Sequence, residues 1–425
     1  MGQNCRRLAQ GLAMSSPEVS ARQMTGHWWR APLSRGLSWL APTWSVSDQP
    51  LRGRDPRLDM FRGLALVMIF INHVPGTVYE NFTNRNFGFS DAAEAFVFMS
   101  GMAAGLAYSG RFLTANSFAT YWGAVTRVWA RARQLYFVHL TITLLTLGIF
   151  AFAALRFGMW DMLSRNNVAP LFAHPVGALI GIPTMMHQLG YLNILPLYIT
   201  LLLATPLLLV LGIRWPVPVV IGSILLWAIA GQFRLNLPNF PTQGGWFFNP
   251  FSWQLIFVVG LLSGVAMKRG QRFVPHSPVL LALAATFVVF VLVWVKVKPV
   301  GDAGLRTLGW FSGLGLPFYI TWFDKTFLAL PRLLHALAVF YVLGHLEIVR
   351  RFAGTAIAAP LRLLGRQGLA VFATGTVLSM ALQTVKTVTK PDPVLDGLML
   401  GGGLVLLWAL AWTLTRTAEL KGAAR

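Results

Sequence analysis

Charge is scarce in this 425-residue chain. Only 12% of its residues are charged and 55% are hydrophobic, where a soluble globular domain carries about 25% charged residues. A chain this apolar cannot cover a water-facing surface, which excludes an ordinary soluble enzyme and a disordered protein. Cysteine is almost absent as well. Cys5 stands alone, so no internal disulfide and no cysteine metal cluster can form. There is no HExxH, no histidine pair at i and i+4, and no glycine-rich phosphate loop. No metal site is expected. Acidic residues are few: 14 Asp and Glu stand against 35 Lys and Arg, a net charge of +21. In a soluble protein that excess would point to nucleic acid. Here the cations lie between apolar runs, so the excess reads as membrane topology and no nucleic-acid partner is expected.

What the sequence does contain is a series of apolar runs behind a different kind of start. Residues 1–53 hold no long apolar core of the sort a secretory signal needs. They are expected to form a basic, disordered cytoplasmic tail, with Trp28, Trp29 and Trp44 able to rest on the membrane surface. A helix needs about 20 mostly apolar residues to cross a bilayer. Ten candidates follow, at 58–75, 91–108, 134–155, 188–212, 217–232, 252–267, 278–295, 333–349, 368–387 and 395–415. A further apolar patch at 310–323 reads as an interfacial or re-entrant piece. The fold class is therefore all-α, a polytopic membrane protein of about ten helices. Residues 54–415 form its membrane domain and 416–425 a short second tail.

Ten spans put both termini on one side. With the tail inside, 23 of the 35 Lys and Arg fall on the inner side, 11 on the outer side, and Arg62 lies within the first span. Basic residues favour the cytoplasm, so both termini are expected there. The inner segment 118–133 carries Trp122, Val125 and Trp129 at helical spacing, with Arg127, Arg131 and Arg133 among them. It reads either as an amphipathic helix on the inner membrane face or as a basic extension of the third span.

Charge at membrane depth costs several kcal/mol, so it usually has a functional or pairing reason. In the first span Arg62 and His73 are eleven residues apart, which places them within about 20° of one helix face and about 16 Å apart along the axis. Asp59 lies one turn from Arg62 and can pair with it. An imidazole there can take a proton from a hydroxyl nucleophile, and a guanidinium suits a phosphate-bearing ligand. The bland alternative is anchoring at the two membrane surfaces. The second span opens with Asp91 and Glu94, at the same end as His73. That spacing matches a capping box. It also offers a carboxylate to orient His73, as in triad chemistry.

Two more clusters would gather near that outer end: His187-Gln188-Leu189-Gly190-Tyr191-Leu192-Asn193, and Asn249-Pro250-Phe251-Ser252-Trp253-Gln254. His187, Gln188, Tyr191, Asn193, Asn249, Trp253 and Gln254 are the candidate acceptor-side residues. Gly365-Arg366-Gln367-Gly368 precedes the ninth span on the inner side, where Arg366 joins Arg62, Asp59, Arg127, Arg131 and Arg133 as candidate donor-binding residues. His139, His335 and His345 read as satisfied helix-packing residues. Gly401-Gly402-Gly403 reads as close helix packing.

The blocks Arg57-Leu58-Asp59-Met60-Phe61-Arg62-Gly63 through His73, Ser90-Asp91-Ala92-Ala93-Glu94-Ala95-Phe96, His187 to Tyr198, and Asn249 to Leu255 resemble the OpgC family of bacterial inner-membrane proteins. The resemblance covers roughly residues 54–390. It implies transfer of succinyl groups to osmoregulated periplasmic glucans, and a relation to the acyltransferase type 3 superfamily. That superfamily carries an Arg, ten residues, then His pattern in its first span, which Arg62 and His73 match. It uses acyl-CoA from the cytoplasm as donor and a carbohydrate outside as acceptor. The superfamily's aromatic–Ser–Val–Glu–Glu–Gln–Phe block is absent here, so Asp91 or Glu94 as partner of His73 is an inference from position. The expectation is an acyltransferase with His73 as general base, acyl-CoA as co-substrate and no bound cofactor. Its partners are the bilayer and an extracytoplasmic glycan. A transporter or flippase for a glycan or lipid precursor, and a structural membrane subunit, are the rival classes.

Overall fold

A computed structural model of the chain describes residues 45–46 and 55–423. The remainder of the expected tail lies outside the described residues. The described chain is almost wholly helical: α1 Pro56–Asn72, α2 Ala92–Thr114, α3 Phe118–Phe157, α4 Ala169–Ala173, α5 Pro175–Gly181, α6 Ile194–Arg214, α7 Pro216–Gln232, α8 Pro250–Lys268, α9 Pro278–Lys296, α10 Lys298–Gly313, α11 Phe318–Thr321, α12 Leu330–His345, α13 Glu347–Gly354, α14 Ala359–Arg366, α15 Gly368–Val388 and α16 Pro393–Ala423. A two-residue strand, β1 Ser45–Val46, pairs antiparallel with β2 Gln271–Arg272.

Local chemistry explains where the long helices start. Proline opens α1, α7, α8 and α9 at the position where its missing N–H is not needed. Three of these helices are capped by the residue before it. Asp55 accepts from Arg57 N, Asn249 from Phe251 N, and Ser277 from Leu280 N. Helix α3 starts on a Ser117–Thr120 capping box and stops at Gly158, whose φ of 69° is left-handed.

Among the described residues six helices are long and apolar enough to cross a membrane, namely α3, α6, α8, α9, α15 and α16. The pair α12–α13 makes a seventh if its 71° bend is counted within one span. Each of the ten expected spans meets a helix, but α1, α2 and α7 do not pass the same test of length and apolarity, so ten is not established. Apolar side chains left exposed, among them Leu144, Phe152, Leu207, Leu283 and Leu406, fit a lipid solvent rather than water.

Several expected features change in the structure. Of the two readings of residues 118–133, the extension of the third span is the one seen. These residues continue into the third span as one 40-residue helix, about 60 Å long and twice the hydrocarbon thickness. The fourth span starts at Ile194 rather than 188, because Met185 and Tyr191 take left-handed φ values of 62° and 68° that a helix cannot contain. The 310–323 patch divides between the end of α10, a helix with no buried residue, and the short α11. Helix α16 runs past 415 to Ala423.

The tightest helix pair is α2 with α8. A Cβ on Gly101 or Gly105 would strike the backbone of Phe257 or Leu261, and one on Gly260 or Gly264 would strike Phe98 or Met102. Two GxxxG stripes thus face each other and let the backbones touch. Helices α1 and α14 meet similarly: Gly63 abuts Leu361 and Gly365 abuts Asp59. The expected packing role of the later glycines holds only for Gly403, which meets Phe70, while Gly401 and Gly402 face open space. Gly260→Leu is therefore expected to destabilise the protein by about 1–3 kcal/mol or more through overpacking, read as a lower melting temperature in detergent. Gly401→Leu should leave it unchanged. Equal melting temperatures for the two variants would contradict this account of the α2–α8 contact.

Candidate active site

Helix α1 stops at His73, whose N–H still bonds the Ile69 carbonyl at 2.9 Å. Pro75 cannot continue the helix, and Gly76 turns the chain with φ of 84°. The imidazole packs against Tyr191, with ring centroids 4.9 Å apart. Its backbone is pinned from α15: Gln383 Nε2 donates to the His73 carbonyl at 2.6 Å, and Asn166 Nδ2 donates to Gln383 Oε1 at 2.8 Å. A three-residue relay therefore fixes the end of α1 while leaving the ring free. Among the described residues, the His73 ring nitrogens make no hydrogen bond.

The capping box at the start of α2 is present. Asp91 Oδ1 accepts from Ala93 N at 2.8 Å and Glu94 Oε2 accepts from Asp91 N at 2.9 Å. The same carboxylates also hold two cations that the sequence reading missed. Lys325 Nζ lies 2.5 Å from Asp91 Oδ2. Arg332 reaches Glu94 Oε1 at 2.6 and 2.8 Å, and Asp91 Oδ2 at 3.2 Å. Glu94 is fully buried, so this network meets the requirement that buried charge be paired. The expected hydrogen bond from Asp91 or Glu94 to His73 is not made, because both carboxylates are engaged by Lys325 and Arg332. Asp91 and Lys325 nevertheless both act electrostatically on the imidazole. The structure thus joins Asp91, Glu94, Lys325 and Arg332 in one network, of which Asp91 and Lys325 act through space on His73.

A second polar group gathers near the other end of α1. Asp59 is buried and faces Arg62 at 3.9 Å and Arg366 at 3.6 Å. Arg62 also approaches the Gly365 carbonyl at 3.5 Å. Arg62 and Arg131 both act electrostatically on Tyr198, and Arg131 and Arg127 on Tyr108. Asp59, Arg62 and Arg366 thus meet directly, and Arg127 and Arg131 share the face of α3 toward these tyrosines. Arg133 does not: it is exposed and lies about 200° round α3 from Arg131. Tyr198 lies close to Ser100 of α2 and adds a polar side chain near Arg62.

The acceptor-side candidates have structural duties. His187 Nε2 meets the Asn167 carbonyl at 3.0 Å, Asn167 Nδ2 donates to the Gln188 carbonyl at 3.0 Å, and Gln188 Nε2 donates to the Met185 carbonyl at 3.0 Å. Asn249 caps α8 and donates to the Leu235 carbonyl. Trp253 Nε1 donates to the Lys325 carbonyl at 2.9 Å, and Gln254 Nε2 to the Ser223 carbonyl at 2.8 Å. Asn249, Trp253 and Gln254 are buried, and Asn193 precedes α6 without a capping bond. His187 Nδ1 and Gln188 Oε1 are buried without a hydrogen-bond partner among the described residues, and Trp253 positions the chain that carries Lys325. Only Tyr191 presents its ring to His73. His335 is satisfied by Ser90 Oγ at 2.7 Å and His345 by the Tyr341 carbonyl at 2.7 Å through Nδ1. Buried His139 makes no hydrogen bond among the described residues, so its expected satisfaction is corrected.

The described helices carry both polar groups within the segment matched by the profile of the OpgC protein family, which spans residues 54–419. The chain belongs to the OpgC family. No curated protein and no solved structure matches it. The matched segment includes α1 and its His73, the α2 carboxylates and the Lys325–Arg332 stretch, so the whole arrangement is a feature of an OpgC-family membrane protein.

Proposed function

We propose that this OpgC-family chain is a membrane O-acyltransferase that moves an acyl group, succinyl by family resemblance, from cytoplasmic acyl-CoA to a hydroxyl of an extracytoplasmic glycan. The observation that carries this is the division of α1: Asp59 and Arg62 gather with cations near its start, and His73 ends it beside Asp91 and Lys325. The two are about 16 Å apart along the axis, the reach of an extended pantetheine arm. In this reading ten spans cross the bacterial inner membrane with both termini cytoplasmic. Residues 1–53 form a tail, and 54–415 the catalytic domain.

The phosphates of the donor sit by Arg62, Arg127, Arg131 and Arg366, where guanidinium groups favour them. The thioester lies at His73. The free imidazole takes the proton of the sugar hydroxyl, whose oxygen attacks the thioester carbonyl. Lys325 and Arg332 favour the oxyanion that develops. The carbon–sulfur bond then breaks, and the departing CoA sulfur takes the proton from His73. The products are an ester and free CoA thiol.

Thiol release from succinyl-CoA by the purified protein in the presence of a glucan tests the reading. Arg62→Ala is expected to raise KM for acyl-CoA about tenfold, roughly the value of one charge-assisted contact, with kcat nearly unchanged. A folded wild-type protein that releases no thiol would overturn the transferase reading and favour transport.

A further inference from the structure

If the transferase reading is right, the acceptor needs a place near the α2 carboxylates, and the structure offers one there. A cleft of about 270 Å³ opens beside Asp91. Its walls come from four separate stretches: Arg85 and Phe89 ahead of α2, Trp294 near the end of α9, Phe323 after α11, and Arg332 on α12. The three aromatic rings form one surface. Phe89 meets Trp294 edge-on at 5.5 Å and Phe323 at 4.6 Å, and Trp294 meets Phe323 at 6.3 Å.

We infer that this cleft binds a sugar residue of the acceptor, with Trp294 as the stacking face and Arg85 and Asp91 as hydrogen-bonding groups. The inference rests on the transferase reading only for the identity of the chain to which the sugar belongs. Three observations decide for a sugar. The cleft is slightly smaller than the about 300–1,000 Å³ of drug-sized ligand sites, which suits a monosaccharide unit and not a lipid chain. It pairs aromatic faces with polar groups, and a sugar ring offers C–H faces and hydroxyls together, whereas an apolar ligand would leave charges unmatched. Its cations are already balanced, Arg332 by Glu94 and Asp91 and Arg85 by Glu80 at 3.5 Å. An anion gains little there, while a neutral polyhydroxyl compound can hydrogen-bond to Arg85, Asp91 and Arg332, which line the cleft.

His73 does not line the cleft, but two residues that do act through space on the imidazole and on its neighbour. Asp91 lines it and acts on His73. Arg85 lines it and acts on Tyr191, the ring that packs against His73.

The test is isothermal titration of a β-linked gluco-oligosaccharide into the purified full chain in nanodiscs, alongside transfer kinetics. Trp294→Ala is expected to weaken oligosaccharide binding and raise the acceptor KM at least tenfold, with KM for acyl-CoA and melting temperature unchanged. Trp294→Phe should recover most of the binding. Arg85→Gln, at the exposed rim, serves as a second variant should Trp294→Ala fail to fold, and is expected to weaken binding severalfold. Wild-type oligosaccharide affinity in folded Trp294→Ala or Arg85→Gln protein would overturn the cleft assignment while leaving the transferase reading intact. Oligosaccharide binding that depends on Trp294 in a protein that releases no thiol would support the cleft and overturn the transferase.

Discussion

His73→Ala is expected to lower the transfer rate by about 10²–10⁴-fold, the usual loss when a general base is removed. Acyl-CoA affinity and folding should change little. The position of the residue separates these effects. His73 lies at the opposite end of α1 from Arg62 and Arg366, so it does not meet the phosphates of a donor bound there. The fold holds His73 by its backbone carbonyl through Gln383 and Asn166, and those bonds survive loss of the ring. Among the described residues the ring contributes an aromatic contact with Tyr191 and no hydrogen bond. Single-turnover transfer and equilibrium binding of acyl-CoA, measured on the same preparation, check this. Transfer by His73→Ala at near the wild-type rate would remove the catalytic assignment.

Much of the helical layout could be read from the sequence, because lipid leaves a chain few choices. Backbone groups in hydrocarbon must bond within the segment, so long apolar runs such as 278–295 and 368–387 announce helices that appear almost unchanged as α9 and α15. What periodicity could not give is how those helices meet. Gly101, Gly105, Gly260 and Gly264 look like ordinary glycines in apolar runs, and their GxxxG spacing matters only because the stripes face each other. The irregular stretch before α6 was hidden for a related reason. Its left-handed residues, Met185 and Tyr191, are types that normally avoid that region, and the neighbouring His187, Gln188 and Gly190 bond Asn166 and Asn167 from another segment.

The site divides in the same way. Residues within one helix or one turn were found: Asp59 with Arg62, Asp91 with Glu94, and His73 on the Arg62 face. Their partners from distant sequence were not. Lys325 and Arg332 were counted among the outer cations that set topology, yet they bind the α2 carboxylates across more than 230 positions. The signal available was two acids close to an apolar core, which demand counter-charges. Trp294 and Phe323 carry no signal of this kind, since aromatics near a membrane surface usually belong to its interface belt. Conversely, Asn249 and Trp253 stood out because polar residues near a membrane attract attention, but backbone carbonyls claim them.

Arg332→Met should damage the protein more than any other single change in the network, by about 3–5 kcal/mol, the cost of leaving a buried charge without its partner. Glu94 is fully buried, and Arg332 supplies both close hydrogen bonds to Glu94 Oε1, at 2.6 and 2.8 Å. Lys325 does not replace it, being engaged with Asp91. Set against a typical total stability of about 5–15 kcal/mol, such a loss should appear as poor yield and a sharply lower melting temperature. A double variant tells the burial penalty apart from loss of packing. In Arg332→Met with Glu94→Gln the charge is gone from both sides, and the introduced amide oxygen can still accept from Asp91 N. Most of the melting temperature should return, because replacing both members of a buried pair is far milder than removing one. Lys325→Met should be milder from the start, since Asp91 keeps Arg332 at 3.2 Å and its capping bond to Ala93. An Arg332→Met protein that melts like wild type would show that Glu94 holds no buried charge needing Arg332, and the electrostatic frame around His73 would have to be rebuilt on Asp91 and Lys325 alone.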